Sequence, residues 1–199
     1  KTGSIGTLGF ISSSEIINTG FTTPEAVELH NFLDHLSRGG ITNVVMEVSS
    51  HSLALHRMDD VDINTAIFTN LTPEHLDFHE TMENYFHEKM KLFKSLSDSD
   101  TAIINIDDKY ASRMIKHCKS KILTYGFNNS AYIYPTSCSY EYHKMTIELS
   151  VNKKIYKVKS KLTGSHNVYN IMASILASII NKIPIHETIN IIEKIECIP

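Results

Sequence analysis

The sequence predicts an α/β fold, a mostly parallel, doubly wound sheet with a small antiparallel β flank, on three observations. From the N-terminus to about Asn129, short apolar runs alternate with helical periodicities, the pattern of crossover units. From 130 to 162 the pattern changes to period-two alternation, which marks antiparallel strands. A long apolar helix, in "GSHNVYNIMASILASIINK", then follows Gly164, which breaks the strand. The 199 residues, 42% apolar and 21% charged, suffice for one domain with a sizeable core.

Taken in order, "SIGTLGFI" (Ser4–Ile11) reads as a strand and "ISSSEIINTGFTT" as a polar loop. Pro24 suits a helix start, with Thr23 as its cap, and "RGG" stops that helix near Ser37. "TNVVMEVSS" and "INTAIFTN" read as strands. "TMENYFHEKMKLFKSL" (Thr81–Leu96) is a helix, because Met82, Phe86, Phe93 and Leu96 share one stripe. "TAIINIDD" and "KILTYGF" are further strands, with "KYASRMIKHC" a helix between them. In the flank, Asn152–Lys154 forms a turn. Ser165 is placed to cap the long helix, and a last helix spans about Ile185–Ile195.

Several function classes drop out on composition. A net charge of -3 gives no basic field for nucleic acid and no polybasic cluster for a membrane. Cys118, Cys138 and Cys197 form no CxxC pair, and their odd number suits a reducing compartment. With no signal peptide and no 18-residue apolar run, a cytoplasmic location is expected. Of the eleven histidines, His30, His35, His117, His143 and His186 read as surface residues.

Ligands of open parallel sheets bind beyond the carboxyl ends of the strands. Three such ends are polar: "MEVSSH" with Glu47, Ser49, Ser50 and His51; "TNLTPEHLDFH" with Glu74, His75, Asp77 and His79; and "NIDD" with Asn105, Asp107 and Asp108. "VSSHS" lacks the glycines of a nucleophile elbow. His75 and His79 are four apart, but Pro73 and "LDF" argue against a zinc helix. A carboxylate and one histidine suit magnesium holding phosphates. Lys89 lies in the apolar stripe between Phe86 and Phe93, whereas Lys91 and Lys94 point away. It can snorkel to the helix edge, pair with a carboxylate, or add carbon dioxide and become an anionic carbamate; on the sequence alone snorkelling ranks first.

"KTGSIGTLGF", "TTPEAVELHNFL", "MEVSSHSLALHR", "FTNLTPEHLDFHETMENYFHEKMKLF", "AIINIDD" and "LTGSHNVYNIMAS" together resemble the central domain of the Mur ligases, most closely the tripeptide-forming MurE type, in family order over nearly the whole chain. The resemblance implies a P-loop-type ATPase domain acting with Mg2+, with Lys89 N6-carboxylated and catalytic. Glu47, His75 and Lys89 would hold the metal. Thr22, Thr23, Ser49 and Arg57 would contact UDP-MurNAc-dipeptide, and Asn167 the nucleotide. The Arg57 fork suits a phosphate or carboxylate; the plain structural role for Asn167 is helix capping.

The implied reaction is ATP-dependent addition of L-lysine or meso-diaminopimelate to UDP-MurNAc-L-Ala-D-Glu in peptidoglycan synthesis, through an acyl phosphate. The alternatives are another amide ligase of the superfamily or a non-catalytic nucleotide-binding relative. Two residues depart from the family pattern: Glu74 stands where aspartate is common, and Glu80 where glycine often provides unusual backbone angles. The residues contain no GxxGK[ST], and "KTG" leads into a strand where a phosphate loop leads into a helix. Residues 1–199 are therefore expected to be a central ATPase domain without its P-loop strand or its N- and C-terminal partners, and inactive alone.

Overall fold

The computed structural model describes residues 1–12, 15–18 and 20–197, and its chain divides into two compact units, residues 1–62 with 75–92 and residues 63–74 with 93–199. The strands are shared between two sheets rather than one.

The first unit holds a four-stranded mixed sheet in the order β3-β2-β1-β4: β1 (Thr2–Gly6), β2 (Gly9–Ile11), β3 (Ile16–Ile17) and β4 (Asn43–Met46). The single strand expected over Ser4–Ile11 is a hairpin, with Ile5 opposite Phe10 and Gly6 opposite Gly9. Gly9 makes the reversal possible at φ 98°; a Cβ there would lie 2.4 Å from the Ile17 carbonyl oxygen. β1 runs parallel to β4, with α1 (Ala26–Arg38) as the crossover. α1 buries Leu29 and Leu36, and Phe32 stacks on Phe10 at 4.7 Å. Thr23 does not cap α1: the cap position is Glu25, which makes no side-chain capping bond, and the Thr23 hydroxyl is engaged elsewhere.

Two short helices escape the sequence reading. α2 (Ser50–Ala54) is capped by Ser49, whose hydroxyl accepts from the Ser52 N–H at 3.1 Å. α3 (Leu76–His79) is a single turn separated from α4 (Met82–Ser95) by Glu80 and Thr81, and Thr81 caps α4 by accepting from the Asn84 N–H. On α4 the expected stripe is present: Phe86, Phe93 and Leu96 are buried, Lys89 is half-buried, and Lys91 and Lys94 are exposed.

The second unit is built on a six-stranded sheet in the order β10-β9-β8-β7-β6-β5. β5 (Thr65–Phe68), β6 (Thr101–Asn105) and β7 (Lys121–Tyr125) are parallel, with α5 (Ala111–His117) crossing between β6 and β7. β8 (Ile133–Glu141), β9 (Lys144–Val151) and β10 (Lys154–Ser160) form the antiparallel part, which continues the same sheet through a parallel β7–β8 pair. Asn152 and Lys153 turn β9 into β10 with φ 47° and 66°, as a tight hairpin demands. α6 (Ser165–Ile180) and α7 (Ile185–Ile192) cover the sheet, and Met145, Ile147, Leu149, Val158, Val168, Met172 and Leu176 form its core. Ser165 is the first residue of α6 rather than its cap; Gly164 precedes it at φ 97°.

Candidate functional site

Glu47 follows the last residue of β4 and is exposed, so it bears none of the burial cost that a mid-strand carboxylate would. Its Oε2 accepts from both the N–H and the hydroxyl of Thr7, each at 2.7 Å. The fit is tight, because a Cβ on Gly6 would come within 2.8 Å of that same oxygen. The Thr7 hydroxyl lies 3.1 Å from that of Thr22. Buried Thr23 donates its hydroxyl to the Glu47 carbonyl at 2.9 Å and accepts from the Ser49 N–H at 3.1 Å. Arg57 donates Nη1 to the Thr23 carbonyl at 3.1 Å, pairs Nη2 with Glu25 at 2.5 Å, and lies over Phe21. Its Nε is buried without a hydrogen-bond partner. Four expected substrate contacts (Thr22, Thr23, Ser49 and Arg57) and one expected metal ligand, Glu47, thus belong to one network.

The other two expected ligands, His75 and Lys89, meet at a second feature, a set of five rings. The His51 ring lies 5.0 Å from His75, 4.2 Å from Phe78 and 5.5 Å from His79. His79 is parallel to Tyr85 within 12° at 5.0 Å. Tyr85 faces His75 edge-on at 6.0 Å, and Lys89 Nζ lies 5.4 Å from the Tyr85 centroid. His75 is exposed and takes a left-handed backbone, φ 57°, immediately before α3. Burial is the main force holding His51 and His79 below the ordinary imidazole range; the neighbouring His75 adds to this at His51, and His51 adds to it at His79.

A carboxylate such as Glu47 and an imidazole such as His75 are donors that suit a hard cation, which also binds phosphate oxygens. Among the described residues no three His, Cys, Asp or Glu side chains gather to hold a metal. A carbamate on Lys89 would add an oxygen donor, so in donor chemistry the three residues suit magnesium.

At the carboxyl end of β6, the "NIDD" carboxylates are committed within the fold. Asp108 accepts from the Leu71 and Tyr110 N–H groups at 2.8 Å each, and the Asn105 amide donates to the Thr69 carbonyl. Asp107 accepts from the Phe127 N–H at 2.6 Å and the Tyr169 hydroxyl at 2.8 Å. Asn167 is buried in the first turn of α6, and its side-chain amide donates to the Thr163 carbonyl at 2.9 Å; it does not cap the helix, because its Oδ1 accepts from the Asn170 side chain rather than from a backbone N–H.

The sequence reading missed Thr7, Glu25 and Tyr85. Tyr85 lies three residues from Met82 and four from Lys89, so the helical stripe could have included it. Thr7 and Glu25 carry no such signal, since their partners are distant in the chain.

Residues 1–178 match the family pattern described as the Mur ligase middle domain. A UDP-N-acetylmuramoyl-L-alanyl-D-glutamate–2,6-diaminopimelate ligase of Caldanaerobacter subterraneus subsp. tengcongensis is 40% identical over 185 residues, covering 93% of this chain and 38% of that protein. Its counterpart in Clostridium tetani is 36% identical over 201 residues, covering 100% and 40%. A solved structure of a ligase of the same name superposes with TM-score 0.90 at 31% identity, over the whole chain and 41% of its own. The MurF ligase of Thermotoga maritima in complex with ADP shares the fold, with TM-score 0.69 at 18% identity over 79% of this chain and 36% of its own. This chain spans about two-fifths of the length of these curated relatives.

Proposed function

Since the chain belongs to the Mur ligase family, as its middle domain, we propose that it serves in an ATP-dependent ligase that adds an amino acid to UDP-MurNAc-L-Ala-D-Glu in peptidoglycan synthesis. The observation that carries this reading is the network joining Thr22, Thr23, Ser49 and Arg57 to Glu47, residues to which the resemblance assigns substrate and metal contacts. The relatives' names favour 2,6-diaminopimelate over L-lysine as the added amino acid. The cytoplasm is the expected place of action, and no helix among the described residues is long and apolar enough to cross a membrane.

In this reading ATP phosphorylates the substrate's terminal carboxylate, the incoming amine attacks the acyl phosphate, and phosphate leaves. Bound magnesium offsets charge on the transferring phosphoryl group. Glu47, His75 and carbamylated Lys89 would hold it. Arg57 brings a fixed cationic fork to an anionic part of the substrate. Thr22, Thr23 and Ser49 present hydroxyls around it, and Asn167 contacts the nucleotide.

The test uses the full-length ligase carrying this domain, supplied with UDP-MurNAc-L-Ala-D-Glu, ATP and either diaminopimelate or lysine. Magnesium-dependent phosphate release that needs the amino acid, and is lost in Lys89→Ala, is the expected result. Phosphate release unchanged by Lys89→Ala would overturn the role of that lysine. Turnover with neither amino acid would overturn the ligase reading.

A further inference from the structure

We propose that His79 is a positioning residue for the metal-binding set, acting as a wedge that fixes where His75 and Lys89 project. This rests on the reading of Glu47, His75 and Lys89 as magnesium ligands.

His79 is 4% exposed, and its ring is engaged by Ser50 and Tyr85. It meets three elements of the first unit. Its Nε2 lies 2.8 Å from the hydroxyl of Ser50, itself 2% exposed, on α2. Its N–H donates to the His75 carbonyl at 2.9 Å, closing the one turn of α3 and holding His75 in its left-handed conformation. Its ring lies flat against Tyr85 of α4, and its carbonyl accepts from the Asn84 side chain at 3.0 Å. Tyr85 in turn borders both His75, at 6.0 Å between ring centroids, and Lys89, whose Nζ lies 5.4 Å from its centroid. A shift of the imidazole therefore reaches His75 through the backbone and Lys89 through the Tyr85 ring.

A hydrogen-bonded histidine could also be plain core filling, and the two roles differ in what they move. Core filling changes stability alone. A positioning role changes metal affinity, typically 10–100-fold for groups that orient metal ligands.

The test compares the full-length ligase with His79→Phe, which keeps a flat ring against Tyr85 and removes the Ser50 partner, and with Ser50→Ala, which breaks the same bond from the other side. Two readouts are taken besides melting temperature: the magnesium concentration for half-maximal ATP use, and the carbamate carbon resonance after equilibration with 13C-bicarbonate. The expected result is a 10–100-fold rise in the magnesium requirement, a weakened carbamate signal, and kcat restored by excess magnesium and bicarbonate. Ser50→Ala carries the test if His79→Phe does not fold. Unchanged magnesium requirement and carbamate signal in a folded variant overturn the inference and leave the metal reading standing. No carbamate signal in the unaltered enzyme overturns both.

Discussion

One carboxylate, Asp107, joins the loop after β6 to the loop after β7 and to α6. Its Oδ2 accepts from the Phe127 N–H and the Tyr169 hydroxyl, and Gly126 leaves the space it occupies, since a Cβ there would lie 2.9 Å from the carboxylate. The Tyr169 ring is thereby held edge-on to Phe127 at 5.0 Å. Burial first, then the bond to Asp107 and its negative charge, push the Tyr169 hydroxyl up to about 12. The folded state then holds this proton more tightly than the unfolded chain, whose tyrosines titrate near 10. The associated stability is complete below pH ~10 and is lost as pH rises from ~10 to ~12. Asp107→Asn removes the charge but not the burial, so it lowers the Tyr169 pKa part of the way. Phenolate absorbance during an alkaline titration checks this; an unmoved transition would refute the coupling.

At the scale of elements, the junction of α3 and α4 is under backbone strain. Glu80 has φ 65° and ψ -43°, outside the ordinary left-handed well, and only Thr81 separates it from α4. Glycine enters such regions freely, whereas a side chain there costs about 1–3 kcal/mol. Part of the gain from a glycine is offset by the greater freedom of the unfolded chain. Glu80→Gly should therefore stabilise the chain by about 1 kcal/mol, read as a higher urea midpoint at unchanged slope. A lower midpoint would show that the Glu80 side chain contributes more than its backbone costs. The sequence reading had already marked Glu80 as a departure from glycine, and the period of α4 was plain because fourteen residues display it. α2 and α3 stayed hidden because five and four residues are too few to show a period. The β1–β2 hairpin passed for one strand because the turn residues Thr7 and Leu8 are not turn formers, and only Gly9 betrays it.

For the whole molecule, most strands were legible, although β3 lies in the stretch read as a polar loop, but the division into two sheets was not. Pairing depends on contacts distant in sequence, and an apolar run reads alike wherever it pairs. β4 illustrates the point: "NVVM" has the composition of a buried parallel strand, yet among the described residues it pairs with β1 alone, and Val45 is 64% exposed. An unpaired, apolar strand edge is a template for association with another chain. Net charge does little to oppose that, at -3 with an isoelectric point near 6.4. As pH falls from 7 toward the isoelectric point this small repulsion disappears. The isolated chain should therefore self-associate, most strongly near pH 6.4. Val45→Lys places a charge on the exposed face of the edge and should hold the chain monomeric through that range. Light scattering across a pH series distinguishes the two contributions. If Val45→Lys scatters like the unaltered chain at every pH, β4 is not the associating edge; if scattering has no maximum near the isoelectric point, charge does not govern it.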